Sequence, residues 1–143
     1  MVDQALVDEL KGIMEAGAGS AKPEHALRVF EFFKQVADEN EEIQEELEDI
    51  EISAQIILSD VDKKFWVKVA DSKIEYGEGA LDGASFILTS NLEKGSGILI
   101  GETDATSAYM AGEISVEGSL PDALSFQSVV ELAMEVFEEI TED

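Results

Sequence analysis

Apolar residues recur every three or four positions over the first fifty residues, then every second position, then every three or four again. Residues 3–16 place Ala5, Leu6, Leu10, Ile13 and Met14 on one helical face, and Gly17-Ala18-Gly19-Ser20 ends that helix. Pro23 stands near the start of a second helix, where its fixed φ does no harm. Leu27, Phe30, Phe33 and Ala37 carry that helix forward, and Val29, Phe32 and Val36 widen its apolar side. A stripe so wide predicts burial against more than one element. A third helix over about 39–49 is anchored by Ile43, Leu47 and Ile50, with Glu41, Glu42, Glu45, Glu46 and Glu48 as a solvated face.

At residue 51 the period drops to two. Ile52, Ala54, Ile56 and Leu58 alternate with Glu51, Ser53, Gln55 and Ser59, with Ile57 as the exception. Phe65, Val67 and Val69 then alternate with Trp66, Lys68 and Ala70, and Ile74 and Tyr76 with Lys73, Glu75 and Gly77. Polar turns at Ser59–Lys64 and Asp71-Ser72 separate these runs, so they predict an antiparallel meander with one buried face. After the glycine-rich loop 77–83, the segment Ala84–Thr89 makes a fourth strand with Phe86 and Leu88 on one side.

Two short helices over 91–100 and 104–111 follow, Asn91 being placed to cap the first. Ile114–Gly118 alternates as a fifth strand, and Pro121 and Asp122 open a last helix reaching about Ile140. Phe126, Val129, Val130, Ala133, Phe137 and Ile140 form its main face, while Leu124, Leu132, Met134 and Val136 make much of its other side apolar. The pattern predicts an α+β domain, a sheet with helices gathered on one face. Helices over 1–50, strands and helices over 51–120 and a helix over 121–140 read as one unit spanning 1–143, since no repeat or linker divides it.

Composition narrows the function. A hydrophobic share of 45% suits a globular core. No apolar run approaches the roughly 18–20 residues of a membrane span, so stable membrane insertion is not expected. Met1-Val2-Asp3-Gln4 has no basic or apolar leader character, which points to the cytoplasm. The formal net charge is −24, and Arg28 is the only arginine. Such a field repels phosphate backbones and excludes nucleic-acid binding as a working hypothesis. The acidity reads either as a solubility device, as in a saline cytoplasm, or as a surface for a basic protein partner.

Groups suited to catalysis near neutral pH are scarce, and the chain is expected to be no enzyme and to need no cofactor. It has no cysteine, and His25, its single histidine, reads as a surface residue in the first turn of a helix. Common zinc arrangements cannot be assembled from these, nor is there a Gly-x-Ser-x-Gly elbow. Asp60-Val61-Asp62 and Asp71-Ser72-Lys73 hint at calcium loops, but the sixth and twelfth positions are Phe65 and Asp71, or Tyr76 and Asp82, where Gly and Glu are needed. Gly77-Glu78-Gly79 and Gly95-Ser96-Gly97 fit neither a dinucleotide fingerprint nor a Walker loop. What remains is an excess of apolar residues in the last helix and in Leu92, Ile98, Leu99, Ile100, Tyr109 and Met110. Two readings account for it: ordinary packing, or an apolar cavity between incompletely closed layers.

Ser107–Gly118 resembles the most recognisable motif of the sterol carrier protein 2-like family: small residue, Ala, aromatic, apolar, any residue, Gly, then a short strand ending in Gly. Ala84–Ser90, Ile98-Leu99-Ile100-Gly101, Phe65–Val69 and Lys73–Gly77 are similar to its other strands and its short helix, and the resemblance spans about 24–138. It implies a five-stranded, mainly antiparallel sheet covered on one face by helices, with an apolar tunnel between the layers. It also implies a non-enzymatic carrier of an acyl, sterol or isoprenoid-type lipid, alone or presenting a substrate to an enzyme of lipid metabolism. Carried onto this chain, the lining would come from Phe65, Val67, Phe86, Leu88 and Val116 on strands. Leu99, Tyr109, Met110, Phe126, Val130 and Met134 would supply the helical side. The alternative is an acidic protein–protein interaction module with a filled core.

Three departures stand out from the family pattern. The end Ile140-Thr141-Glu142-Asp143 carries no Ser-Lys-Leu-like address. Gly95 and Gly97 replace larger apolar residues, which predicts a looser short helix or a wider entrance. The acidity opposes collision with anionic membranes and tight binding of CoA phosphates.

Overall fold

The computed structural model describes residues 2–142. Met1 and Asp143, the outermost residues of the segments read for a leader and a C-terminal address, lie outside the described residues. Asp3 caps α1 (Gln4–Ala16) by accepting from the Ala5 N–H, and a 3₁₀ turn at Ala18–Ser20 follows. Next comes α2 (His25–Glu39), then α3 (Glu41–Leu47), capped by the Asn40 side chain. Four strands succeed them: β1 (Ile52–Leu58), β2 (Lys63–Ala70), β3 (Lys73–Glu78) and β4 (Phe86–Ser90). The chain closes with α4 (Leu92–Leu99), α5 (Ala105–Met110), β5 (Ser115–Gly118) and α6 (Leu120–Thr141). Every element lies within about two residues of its predicted bounds.

The strands form one sheet in the order β3-β2-β1-β4-β5. β1–β2, β2–β3 and β4–β5 pair antiparallel, and β1–β4 pair parallel. Asp71 and Ser72 both take left-handed φ values, 53° and 61°, as a two-residue type I′ hairpin requires. The earlier hints of calcium loops are thus turns. The register aligns Ala54 and Ile56 with Val67 and Phe65 on one side and with Phe86 and Leu88 on the other. These residues are buried and make the inner face.

The helices cover that face. Phe30 of α2 lies against Phe65 and Tyr76, at ring-centroid distances of 6.3 and 6.0 Å, while Phe32 meets Phe137 of α6 at 5.6 Å. The wide stripe of α2 is therefore shared between sheet and helix, as its pattern predicts. Leu6, Val7 and Leu10 of α1 join the same core. The Tyr76 hydroxyl donates to Glu31 Oε1 at 2.5 Å, tying β3 to α2. Burial and this bond push the Tyr76 phenol up to about 12. Burial also pushes Glu31 upward, but the Tyr76 hydroxyl, the Gln35 amide and the Lys34 and Arg28 charges bring it below its ordinary value.

The outer face is wetter. Lys64 and Lys68 are exposed, with the Lys68 ammonium over the Trp66 ring at 5.8 Å. Gln55 departs from its polar, solvent-side reading. It is buried, donating to the Phe65 and Gly79 carbonyls at 2.7 and 3.0 Å and accepting from the Leu81 N–H at 2.5 Å. One side chain thereby fastens the 79–83 loop to the sheet.

Candidate functional site

Between the β4–β5 edge and the helices α5 and α6 the layers do not close. Ser85 starts this half of the molecule, giving its hydroxyl to the Ser53 carbonyl at 3.0 Å and so setting β4 beside β1. Asp104 caps α5, accepting from the Thr106 N–H at 3.3 Å and the Ser107 hydroxyl at 2.7 Å. The Ser107 hydroxyl holds Asp104 below the ordinary carboxylate range, assisted by Thr106 and Gln127 and opposed by burial. At the other end of α5, Gly112 has φ +76°, its N–H bonding Tyr109 O at 3.1 Å while the Glu113 N–H bonds Ala108 O at 2.9 Å. That is a Schellman stop, which turns the chain directly into β5.

β5 ends at Gly118, φ +93°, where a Cβ would stand 2.6 Å from the Ser85 carbonyl oxygen. Only glycine allows this approach. The Ser119 N–H then bonds Ser85 O at 2.8 Å, and the Ser119 hydroxyl caps α6 by accepting from the Asp122 N–H at 3.2 Å. The Ser107–Gly118 motif is thus the wall of the site: helix, glycine stop, strand and glycine return.

The cavity it encloses measures about 270 Å³. Phe86, Leu88, Ile98, Ile114 and Phe126, all buried, form its floor, with Val116 beside them. Phe86 and Phe126 stack obliquely at 5.9 Å. Ala105 and Ala123 line it too, and their small side chains leave room that larger ones would fill. Around the mouth stand Tyr109, Met110, Leu120 and Leu124, exposed by 41, 81, 43 and 51%. Thr106, Gln127 and the Tyr109 hydroxyl are its polar members, and among the described residues no Lys, Arg, Asp, Glu or His lines it. Lys94 pairs with Glu113 at 2.5 Å, a bond that raises its pKa.

Six of the residues named from sequence meet at this cavity: Phe86, Leu88, Tyr109, Met110, Val116 and Phe126. The other five lie elsewhere. Phe65 and Val67 are sealed in the core under α2, where the register with β3 places them. Leu99 borders a crevice of about 10 Å³ beside His25 and Ser96. Val130 and Met134 face two separate grooves that also contain Glu102. Leu120, Ala123, Leu124 and Gln127 were not named as site residues, although their spacing puts them on one face of α6. Nor were Ala105, Thr106, Ile98 and Ile114. Small residues facing large ones are the signal for Ala105 and Ala123. Thr106 and Gln127 meet across 21 positions and leave none.

Gly95 and Gly97 do not border the cavity, and α4 forms around them. A Cβ at Gly95 would stand 2.6 Å from Ser90 Oγ and 2.7 Å from Leu58 Cδ2, and one at Gly97 would strike Thr103 Oγ1. They bring α4 close to its neighbours, which is the reverse of loosening it. His25 caps its own helix region, Nδ1 accepting from the Lys22 N–H at 3.1 Å.

No curated protein matches the sequence. Solved structures do match the fold. Palmitated SCP2L2 from Aedes aegypti aligns with TM-score 0.55 and 16% identity over 71% of this chain and 90% of that one. UbiJ-SCP2, a ubiquinone synthesis protein, aligns with TM-score 0.59 and 10% identity over 78% of this chain and 93% of that one. The stereoselective inverting sec-alkylsulfatase Pisa1 from Pseudomonas sp. aligns with TM-score 0.55 and 10% identity over 60% of this chain, which spans only 14% of the sulfatase. At the level of sequence, the profile of the SCP-2 sterol transfer family matches residues 33–131, from within α2 to within α6. With the motif, the strand order and the solved folds in agreement, the chain belongs to the SCP-2 sterol transfer family.

Proposed function

We propose that the chain is a single-domain, non-enzymatic lipid carrier of the cytoplasm that shelters an acyl, sterol or isoprenoid-type lipid in the cavity between β4–β5, α5 and α6. The observation that carries this reading is the apolar lining itself, about 270 Å³ of space with a buried aromatic floor and an exposed mouth. Each CH₂ moved there from water contributes about 0.8 kcal/mol. The volume is near the lower end of ligand pockets, roughly 300–1,000 Å³, which favours one chain over a bulky ligand. Family membership and the palmitated relative support the same reading. No helix among the described residues is long and apolar enough to cross a membrane.

The test is uptake of an uncharged, polarity-sensitive dye by delipidated protein, with native mass spectrometry of lipid adducts. One dye should bind per chain, and Ala123→Trp should block it while circular dichroism stays unchanged. Failure of the wild type to take up dye or any lipid, or equal uptake by the folded variant, would sink the reading.

The exposed apolar mouth favours a second role, presentation of the lipid to an enzyme. The UbiJ-SCP2 relative and the occurrence of this fold within a sulfatase chain support it. Salt-sensitive co-purification with an enzyme of lipid metabolism, weakened by Met110→Ser, is the expected result. An interaction module with a filled core has the acidic surface in its favour and the open cavity against it.

A further inference from the structure

The polar corner of the cavity has a hydrogen-bond inventory of its own. Gln127 Nε2 donates to Asp104 Oδ1 and to Glu131 Oε1, both at 3.1 Å. Two carboxylates on that side fix which end of the amide is nitrogen. The Thr106 hydroxyl gives its hydrogen to Gln127 Oε1 at 3.2 Å. Both amide hydrogens and the hydroxyl hydrogen are therefore spent. What the corner still offers is acceptor capacity: the lone pairs of Thr106 Oγ1 and the second lone pair of Gln127 Oε1. The Tyr109 hydroxyl, also at the mouth, can give or take a hydrogen bond and so does not discriminate. Behind the amide stand two carboxylates, and among the described residues no lysine or arginine lines the cavity.

We infer that the cavity selects a single-chain lipid whose polar end is an uncharged hydrogen-bond donor, a long-chain or prenyl-type alcohol, over carboxylates and phosphate esters. The chain lies on the Phe86, Leu88 and Phe126 floor, and the hydroxyl at the mouth donates to Thr106 Oγ1 or Gln127 Oε1. A carboxylate in the same place meets two like charges, and of these side chains only the Tyr109 hydroxyl can donate to it, a donor the alcohol can use equally. The inference rests on the lipid-cavity reading above and adds the class of head group.

Dodecanol, its methyl ether and dodecanoate share a chain and separate donor from charge. Each competes against the uncharged dye at about pH 8, where the acid is ionised. About 0.3 M NaCl screens the long-range field of the chain. The expected result is dodecanol about threefold to tenfold tighter than the ether, the worth of one hydrogen bond, and at least about tenfold tighter than dodecanoate. In the double variant Thr106→Val/Gln127→Leu, which removes both acceptors, the alcohol-to-ether ratio should fall toward one, while circular dichroism and one dye bound per chain report an intact fold and cavity. An ether as tight as the alcohol, or a carboxylate as tight, overturns the inference and leaves the cavity reading standing. If none of the three displaces dye, and no dye binds, both fall together.

Discussion

Gly95→Ala and Gly12→Ala make the same chemical change inside two helices, and the structure gives them opposite signs. A helical glycine costs about 1 kcal/mol relative to alanine, so both substitutions start with that gain. Around Gly12, in α1, no atom of the described residues lies within 4 Å of the added methyl, so the gain is kept. At Gly95 the methyl would stand 2.6 Å from Ser90 Oγ and 2.7 Å from Leu58 Cδ2. Both neighbours are buried, Leu58 2% and Ser90 4% exposed, and the Ser90 hydroxyl is committed to Asn91 O at 3.0 Å. Neither can swing into solvent, so α4 has to lift. Overpacking of this kind costs about 1–3 kcal/mol, and two simultaneous clashes argue for the upper part of that range. The net is about 1–2 kcal/mol destabilising for Gly95→Ala, against a gain of about 0.5–1 kcal/mol for Gly12→Ala. Urea unfolding followed by circular dichroism reads both. With a slope of about 1.5 kcal/mol/M, the midpoints should move about 1 M down and about 0.5 M up. A Gly95→Ala protein as stable as wild type, with dye binding unaltered, would refute the account of α4 as a helix seated by missing side chains.

Three further outcomes follow from the packing and the charge. Tyr76→Phe should lose about 1 kcal/mol, the worth of a hydrogen bond to a charged group reduced for partial exposure. Because the folded Tyr76 phenol is raised from 10.0 to about 12, its contribution is whole below pH about 10 and disappears as pH climbs to about 12. Glu31, depressed in the fold, contributes above its ordinary value and loses that contribution as acid protonates it. Alkaline melting curves of wild type and variant should therefore converge, and a constant gap would contradict the pairing. Phe33→Ala, fully enclosed, should cost about 3–5 kcal/mol. Phe126→Ala should cost less, since it lines the open cavity and the space it vacates joins that cavity rather than forming a sealed void; an equal or larger loss on chemical unfolding would mean the cavity is closed in solution. Finally, with 33 acidic against 9 basic side chains, salt should raise the melting temperature by screening self-repulsion. A flat response between about 10 mM and 1 M NaCl would argue against that.

The elements were legible because this chain keeps its periods clean. The change from 3.6 to 2 at residue 51, the cap at Asn91 and the turn at Asp71-Ser72 all encode structure within a few positions, whereas the caps Asp3, Asn40 and Ser119 emerge only with the structure. Strand order was less so. Nothing local tells β4 to lie parallel beside β1, because the pairing depends on Ser53 meeting Ser85 across 32 residues. Alternation also misplaced Gln55, whose polarity marks the outer face but not the loop that buries it. In the site, alternation puts Phe65, Val67, Phe86 and Leu88 on the inner face. Parity alone cannot say which half of the inner face α2 seals, so Phe65 and Val67 lie in the core while Phe86 and Leu88 border open space. The polar corner has no local signal, because Thr106 and Gln127 are ordinary helix residues until α5 and α6 bring them together.

The division between backbone and side chains explains how a fold can persist at 10–16% identity. Gly112 and Gly118 fix where α5 stops, where β5 ends and how α6 leaves, through bonds to Ser85, Ala108 and Tyr109 that involve backbone alone. That framework sets the position and size of the cavity whatever lines it. On the proposed reading, selectivity is left to positions such as Thr106 and Gln127, which can vary without moving the wall. Delivery answers to the surface instead. On the carrier reading, the apolar mouth at Met110 and Leu124 must meet whatever accepts the lipid, and a chain of net charge −24 is repelled by an anionic bilayer before that contact forms. A neutral surface or a basic protein lowers that barrier, and added salt lowers it for an anionic one. Transfer from the loaded protein to vesicles should therefore be faster with zwitterionic than with anionic lipid at low salt, and the two rates should approach each other as salt is added.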